Sequence, residues 1–360
     1  MSVAIVTGAA GLIGSEAVRF LAEKGLDVVG IDNDMRAAFF GVEAGTRRSW
    51  LTLEKEVNAY RHIEADIRDA SALGELFARY REAVTLLVHA AAQPSHDWAA
   101  REPVTDFSVN AVGTLNLLEA TRRHCPRAVF VFCSTNKVYG DTPNRLPLVE
   151  QETRWELPES HPFGERGVDE SMSIDESMHS LFGVSKCAAD LLVQEYGRYF
   201  GMHTACFRCG CVTGPAHAGA ELHGFLSYLV KCAVADRQYN VIGYKGKQVR
   251  DNIHSFDLVH AFWHFFKTPR IAEVYNMGGG RYANCSVLEA IALTERLTGR
   301  PMQTRCTAES RAGDHIWWIS DSSRFQRDYP AWRLTRSIGD MIGEIHAELA
   351  SRQINKGQPG

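Results

Sequence analysis

Three glycines near the start of the chain have the spacing of a phosphate-binding turn. Gly8, Gly11 and Gly14 follow the order G-x-x-G-x-x-G directly after the apolar run VAIVTG. Glycine at these points permits a tight turn and lets backbone N–H groups come close to a pyrophosphate. Leu12 and Ile13 would then lie against the same ligand. The pattern alone is common, so its weight depends on the residues further along the chain.

Asp32 supplies the second part of the pattern. It ends the apolar run DVVGID, eighteen residues after Gly14. A carboxylate at this point can accept hydrogen bonds from both ribose hydroxyls and would repel a 2′-phosphate. Arg36 is the one nearby group that could tolerate that phosphate. We therefore predict NAD, rather than NADP, as the cofactor.

A parallel sheet would bring such residues together. The β-rich runs VAIVTG, DVVGID, TLLVHAAA and AVFVFCST alternate with helical patterns, which predicts an α/β fold with a Rossmann-type doubly wound parallel sheet. We expect residues 1–212 to form this NAD-binding domain and residues 213–353 to form mainly a smaller substrate-binding α/β subdomain, with 354–360 as a tail. Residues 141–179 lack helical or strand periodicity, and we expect an active-site loop there.

The composition of the chain limits the kinds of partner that the protein is expected to bind. The 39 Lys and Arg against 43 Asp and Glu give a net charge of −4, which supplies no broad basic field for nucleic acid. The first residues carry no signal or membrane-spanning pattern, so we expect a soluble cytoplasmic protein that binds no membrane. The nine cysteines are odd in number and should be reduced. Cys206, Cys209 and Cys211 lack a second ligand pair, and we predict no metal site.

Further motifs along nearly the whole chain resemble the extended short-chain dehydrogenase/reductase family of nucleotide-sugar enzymes. They are ADIRD (65–69), HAAAQPS (89–95), NAVGTLNLLEA (110–120), STNKVYG (134–140), GKQVRDNIHSFDLV (246–259), VYNMGGG (274–280) and RAGDHIWWISD (311–321). Within the family, the segments STNKVYGD and HSLFGVSKCAAD (179–190) most resemble the branch of CDP-tyvelose (CDP-paratose) 2-epimerases. The resemblance implies bound NAD and a nucleotide-sugar substrate.

The resemblance also implies roles for individual residues. The cofactor would be bordered, besides the glycine turn and Asp32, by Asn33, Asp66, Ile67, Ala90, Ala91, Ala92, Asn110 and Lys186. Asp66 and Ile67 would lie at the adenine, and Lys186 would hydrogen-bond the nicotinamide ribose. Two structural alternatives stay open: Asp66 could cap the next helix, and the alanines could be small core residues. Thr135 falls at the catalytic hydroxyl, although it could equally be a strand terminus.

The family's catalytic pair is Tyr-x-x-x-Lys, and this chain departs from it. Phe182 stands at the tyrosine position, four residues before Lys186. A phenyl ring cannot carry a proton, so the usual base is missing. Either the chain is a tyrosine-to-phenylalanine variant that traps substrate, or it is a natural branch with another proton carrier. In the second case the candidates are Tyr139, Cys187, His161, Asp169, Asp175 and His179, with Tyr139 more often a packing residue and Cys187 expected to point away.

On the substrate side, Gln93, Ser95, His96 and Lys137 would face the hexose by resemblance. Arg250 and Arg311 would hold the diphosphate, for which a planar guanidinium is suited. Either arginine could instead form a surface ion pair. We expect Trp317 and Trp318 to be core residues.

The predicted function is NAD-dependent epimerisation of a nucleotide sugar, at C2 of a CDP-hexose through a transient keto sugar. The alternatives are a 4-epimerase or oxidoreductase with rerouted proton transfer, and a catalytically silent NAD-binding protein. Asn136 and Lys137 follow Thr135 where dehydratases carry Asp-Glu, which argues against dehydration. By resemblance, the helices around 110–123 and 181–200 would pair two subunits, giving a homodimer or homotetramer.

Overall fold

The protein's structure, a computed structural model, describes residues 2–217, 219–221, 223–309 and 313–356, with side chains as far as Arg352. The strands in chain order are β1 (Val3–Thr7), β2 (Asp27–Asp32), β3 (Tyr60–Glu64), β4 (Val84–His89), β5 (Val129–Thr135), β6 (Val149–Glu150), β7 (Trp155–Glu156), β8 (Thr204–Cys209), β9 (Cys211–Thr213), β10 (Tyr239–Ile242), β11 (Val249–His254), β12 (Glu273–Met277), β13 (Asn284–Ser286), β14 (Thr304–Thr307) and β15 (Trp317–Trp318).

The α-helices in chain order are α1 (Leu12–Glu23), α2 (Met35–Phe40), α3 (Arg47–Glu56), α4 (Ala70–Tyr80), α5 (His96–Arg101), α6 (Pro103–Phe107), α7 (Gly113–His124), α8 (Leu181–Phe200), α9 (Phe225–Val234), α10 (Ser255–Lys267), α11 (Val287–Thr298), α12 (Ser323–Asp328) and α13 (Ile338–Lys356). A π-helical turn, Ser108–Val112, leads into α7. Short 3₁₀ turns include Asn136–Tyr139, directly after β5.

Seven parallel strands form the main sheet in the order β12-β8-β5-β4-β1-β2-β3. The strands β1 and β5 are buried almost throughout, as expected for a parallel sheet covered by helices on both faces. Thr7 pairs with Ile31 on one side and His89 on the other, so the residues that come after these strands meet at one edge. The predicted Rossmann-type doubly wound sheet is therefore confirmed.

The second part of the chain is divided between two units. Helices α9, α11 and α13 pack together around Leu229, Ala290 and Ile342, beside the parallel pair β10 and β14. Strand β12 and helix α10 instead return to the main sheet, where Phe262 and Tyr275 are buried against Phe207. A linear boundary at 212 consequently does not separate the two units.

Much of the segment 141–179, where the sequence predicts an active-site loop, packs on β15 and α11. Val168 N donates to the Ile319 carbonyl at 2.7 Å, and Arg154 Nε donates to Glu289 Oε1 at 2.8 Å. The segment therefore packs over β15 and the start of α11, against the fully buried Trp317 and Trp318. The prediction of core roles for this tryptophan pair is confirmed. Within the described ranges, no helix has the length and apolar character needed to cross a membrane.

Candidate active site

A large cleft runs along the carboxyl edge of the main sheet and continues toward the second unit. Its volume is about 1440 Å³. Its lining includes the glycine turn after β1, the residues Thr135, Phe182 and Lys186, and Arg250 on β11. This volume exceeds that of an ordinary small-molecule site, so the cleft has room for more than one ligand.

The glycine turn fits a pyrophosphate. Gly8 has a φ of 65°, a conformation that favours glycine, and a β-carbon at Gly14 would meet the Gly8 carbonyl oxygen at 2.0 Å. The turn can therefore close only without side chains at these two points. Gly11 precedes α1, and Leu12 and Ile13 begin it, so the unpaired N–H groups of the first helical turn open into the cleft.

Asp32 ends β2 at the mouth of this turn. Its Oδ2 accepts from Ala10 N at 3.0 Å, and its Oδ1 accepts from Asp34 N at 2.9 Å and from Thr46 Oγ1 at 3.2 Å. These bonds fix the carboxylate where a ribose would arrive. The Arg36 guanidinium lies over the Phe40 ring, 4.8 Å from its centre, and so has its own partner beside the cleft.

Asp66 and Ile67 line the cleft beyond Asp32, where the adenine is expected. Asn33 Nδ2 donates to Asp66 Oδ2 at 3.2 Å, and the ion pair with Arg68 lowers the pKa of the Asp66 carboxyl. Asp69, not Asp66, caps α4 by accepting from Ala72 N. The alternative role of Asp66 as that helix's cap is therefore wrong.

Ala90, Ala91 and Ala92 line the cleft after β4, beside the glycine turn. A β-carbon at Gly8 would lie only 2.7 Å from Ala91 N, so the two turns touch. These alanines therefore form part of the cleft wall. The alternative, that they are small core residues, is correct only for the side of them that packs on the main sheet.

Gln93, Ser95 and Asn110 lie behind this wall instead of facing a ligand. Asn110 donates to Gln93 O at 3.0 Å and to Ser185 Oγ at 3.0 Å, and it accepts from Gln93 N at 2.9 Å. Gln93 in turn donates to Asp106 Oδ1 at 2.7 Å, and Ser95 caps α5. All three are almost fully buried and outside the cleft lining. Their geometry corrects the expected direct contacts: they fix the turn after β4 against α8.

Thr135 and Lys186 both line the cleft near the end of β5. The Thr135 hydroxyl accepts from Lys137 N at 3.2 Å at the end of β5. Lys186 Nζ donates to the Cys133 carbonyl at 2.9 Å and lies 4.1 Å from the centre of the Phe132 ring. Because the ammonium is buried, its pKa falls to about 8.

Lys137, after β5, and Arg250, on β11, bring positive charge to the cleft wall. Lys137 Nζ donates to the Gly313 carbonyl at 2.9 Å, and Arg250 Nη2 lies 3.7 Å from Asp314 Oδ1. Both cations line the cleft. Arg311, expected to act with Arg250, lies outside the described residues.

The cysteine triplet of the sequence is divided between two strands. Cys206 and Cys209 lie on β8 and Cys211 begins β9, and all nine cysteines are free thiols. Over the ranges that the structure describes, no three His, Cys, Asp or Glu side chains are placed to hold a metal ion.

Comparison with known proteins gives the family. Residues 4–278 match the model of the NAD dependent epimerase/dehydratase family. The chain belongs to that family. NAD is accordingly its cofactor, and the glycine turn and Asp32 are built as such a cofactor requires.

Relatives within the family differ in their reactions. The chain is 30% identical over 300 residues to the CDP-paratose 2-epimerase of Salmonella typhi, a match that covers 81% of this chain and 83% of that protein. It is 27% identical over 350 residues to a dTDP-glucose 4,6-dehydratase of Escherichia coli, covering 90% and 87%.

A solved structure shares the fold. The UDP-glucuronic acid 4-epimerase of Bacillus cereus, crystallised as a tyrosine-to-phenylalanine mutant with NAD and UDP-4-deoxy-4-fluoro-glucuronic acid, superposes with a TM-score of 0.78 at 23% identity. The match covers 97% of this chain and 99% of that one. The superposition therefore indicates that the two proteins share the fold described above for the main sheet.

Phe182 contacts His96. The two ring centres lie 4.9 Å apart with their planes at 70°. Both rings line the cleft. Ser180 Oγ lies 2.6 Å from His96 Nδ1. The sequence places His96 near the hexose, yet it does not single this residue out among the candidate proton carriers.

The proton carriers suggested by the sequence do not line the cleft. The buried Tyr139 hydroxyl donates to Asn276 Oδ1 at 2.8 Å and accepts from Arg208, and burial raises its pKa to about 12. Cys187 is partly buried against the hydrophobic cluster that contains β15. It thus points away from the cleft, as its position on the helix predicts. The remaining candidates belong to the segment packed over the second unit, outside the cleft lining: His161, Asp169, Asp175 and His179.

Proposed function

We propose that this protein is an NAD-dependent nucleotide-sugar epimerase that inverts C2 of a CDP-hexose through a transient keto sugar. The observation that carries the proposal is that one cleft is lined by the glycine turn, Thr135, Lys186 and Arg250 together. Its volume leaves room for a dinucleotide and a nucleotide sugar side by side in one site. The similarity to CDP-paratose 2-epimerase supports C2 and the cytidine nucleotide.

In this proposal the bound NAD supplies hydride acceptance and return at the sugar carbon. The Thr135 hydroxyl donates a hydrogen bond to the sugar oxygen at that carbon, while the Lys186 ammonium binds the nicotinamide ribose and adds positive charge to the site. Lys137 and Arg250 hold the substrate's hexose and diphosphate. The sugar exposes its other face before the hydride returns, so no net oxidation results.

Two other reactions on the same cleft are weighed against it. A 4-epimerase or a net oxidoreductase would need the same residues, and only the product separates them. Dehydration is disfavoured because Asn136 and Lys137 follow Thr135, so no acid and base pair adjoins the hydroxyl. A silent NAD-binding protein would have no need of Lys137 and Arg250 at the second half of the cleft.

The test begins with purified protein denatured to release its ligands, which are identified by mass spectrometry. The protein is then incubated with CDP-, UDP- and GDP-hexoses in deuterated water. An epimer that carries no solvent deuterium at the inverted carbon is the expected result, because the hydride returns from the cofactor. Deuterium at that carbon contradicts the mechanism, stoichiometric reduced nicotinamide indicates an oxidoreductase, and bound ligands without turnover indicate a silent site.

We also propose a homodimer, alone or as half of a tetramer. Helix α8 exposes an apolar face made of Leu181, Val184, Leu191 and Tyr199. Phe107 and Val112, on the segment before α7, are exposed as well. Such a patch on two neighbouring segments is typical of a subunit interface.

A further inference from the structure

The proposed reaction, on which this inference rests, needs a proton acceptor that Phe182 cannot be. Oxidation of a sugar hydroxyl removes a hydride from carbon and a proton from oxygen. A phenyl ring has no atom that accepts a proton at neutral pH. The acceptor must therefore be another side chain that lines the cleft beside Phe182.

The ammonium and thiol groups at this part of the cleft are poor acceptors. With a pKa of about 8, Lys186 is mostly protonated at pH 7 and then has no lone pair. Lys137 is engaged as a donor to the Gly313 carbonyl. Burial raises the pKa of the Cys133 thiol to about 12 and that of Cys211 to about 11, so their thiolates are scarce near neutrality.

An imidazole does stand at the required place. The His96 ring is in edge-to-face contact with Phe182 and lines the cleft. Its Nδ1 lies 2.6 Å from Ser180 Oγ, and Ser180 caps α8 by accepting from Gly183 N at 3.1 Å. The helix that carries Phe182 and Lys186 thus also fixes the histidine.

Titratable groups approach His96 from the facing segment as well. A β-carbon at Gly313 would lie 2.7 Å from His96 Nδ1, and the carbonyl of that glycine holds Lys137. Burial lowers the pKa of His315, on the same segment, well below its ordinary value, so this neighbour is uncharged near neutrality.

We propose that His96 takes over the proton transfer that a phenol performs elsewhere in the family. During oxidation the C–H bond breaks with its electron pair leaving as hydride to NAD, the O–H bond breaks, and the imidazole accepts the proton while C=O forms. During reduction the imidazolium returns the proton to the oxygen as hydride returns to carbon. Ser180 is the positioning residue: with Nδ1–H donating to Ser180 Oγ, the Nε2 lone pair is the one that accepts the proton.

The first test replaces the imidazole with an amide of similar reach, His96→Gln. We expect kcat for the sugar identified above to fall by about 10² to 10⁴, with NAD content and the KM for the sugar little changed. The matched control is His161→Gln, which lies outside the cleft and should keep the unaltered kcat. In the unaltered protein kcat should also fall at acid pH as the imidazole is protonated, and that acid limb should vanish from the residual activity of H96Q.

Two outcomes contradict the proposal while the proposed function stands. One is an H96Q protein that keeps more than about a third of kcat, since general acid–base catalysis contributes far more than that. The other is an H96Q protein with low kcat and an unchanged acid limb. If the unaltered protein itself gives no epimer and no reduced nicotinamide with any sugar, the proposed function fails instead.

A second measurement needs no turnover. In protein labelled with ¹⁵N-histidine and loaded with NAD, the His96 ring signals are identified by their absence from H96Q. Addition of CDP-glucose should shift these signals and their pH midpoint, because the sugar hydroxyl meets the imidazole. Binding that shifts other histidine signals and leaves those of His96 unmoved overturns the proposal.

Discussion

At the scale of single residues, Asp32 has the clearest consequence for cofactor choice. Both of its oxygens are held by backbone and hydroxyl donors at the end of β2, so the charge is fixed in the cleft. Asp32→Asn keeps the shape and removes the repulsion of a 2′-phosphate. We expect NAD to bind about tenfold more weakly, a loss of about 1.4 kcal/mol, and NADP to bind better relative to NAD.

Calorimetric titration of both dinucleotides measures this change. The matched control is Asp27→Asn at the opposite end of the same strand, which should leave the ratio of the two dissociation constants unaltered. An unchanged ratio in D32N would show that another group, with Arg36 the first to examine, decides between the two cofactors.

Lys186 links catalysis to stability. Its pKa in the folded protein is about 8, below the ordinary 10.5, because burial disfavours the ammonium. Between these two values the unfolded chain holds a proton that the folded chain has released, so stability rises with pH through this window. The cost of the buried charge is present in full below pH 8. Lys186→Met should therefore raise the free energy of unfolding at pH 7, by at most about 3 kcal/mol.

Thermal unfolding of K186M and the unaltered protein at a series of pH values tests this sign. The difference in stability should shrink as pH rises from 8 toward 10.5. Lys55→Met on the exposed side of α3 is the control and should show no such trend. A difference that stays constant with pH would mean that packing, and not the buried charge, separates the two proteins. Activity should be lost in K186M at every pH.

The residues that could be predicted from the sequence are those with local patterns. The glycine turn, Asp32 and Lys186 each stand at a fixed distance from a recognisable strand or helix. His96 and Ser180 are 84 positions apart and meet only because α5 packs on α8. No local spacing indicates that contact, so the sequence can place His96 near the sugar without showing that it borders Phe182. Gln93 and Asn110 mislead for the opposite reason, since their motif is local but their side chains turn inward.

At the scale of elements, the N-terminus of α8 combines a structural and a positioning role. Ser180→Ala removes the side-chain cap and should cost about 1 kcal/mol of stability. It also releases the His96 ring, so kcat should fall by about tenfold, less than the 10²- to 10⁴-fold expected when the imidazole itself is removed. Ser180→Thr retains the hydroxyl, so both the stability and kcat should return to those of the unaltered protein.

The control is Ser286→Ala, which removes the cap of α11 and leaves His96 untouched. It should lose similar stability and keep kcat. Equal losses of kcat in S180A and S286A would indicate that capping alone matters, and would remove the positioning role from Ser180.

Elements differ in how far the sequence can place them. The strands of the main sheet are recognisable because buried parallel strands are continuous and apolar. The position of the segment 141–179 cannot be recognised in this way, because it depends on the contact between Arg154 and Glu289, which are far apart in the sequence. The position of β12 in the main sheet is likewise set by tertiary contacts. Val274 and Tyr275 are buried there beside β8, although they follow elements of the second unit in the sequence.

At the scale of the whole molecule, the outer face of α8 is an exposed apolar surface that a second subunit would bury. Leu181, Val184 and Leu191 stand on one side of α8 at helical spacing, and Tyr199 continues that side two turns later. Exposed apolar side chains repeated along a twenty-residue helix are costly in a monomer. Pairing of two copies across a twofold axis would bury this face on both, and the catalytic side of the same helix would then be braced from behind.

Leu191→Arg places a charge at the middle of that face, where burial without a partner is unfavourable. We expect the protein to become monomeric, as measured by light scattering on a size-exclusion column, with its far-ultraviolet circular dichroism unchanged. Ile271→Arg, at an equally exposed apolar residue between α10 and β12, is the control and should keep the dimer mass. Because α8 carries Phe182, Lys186 and the cap that holds His96, the monomer should also lose stability and activity together. A dimer that survives L191R places the interface on another surface and leaves the face of α8 unexplained by self-association.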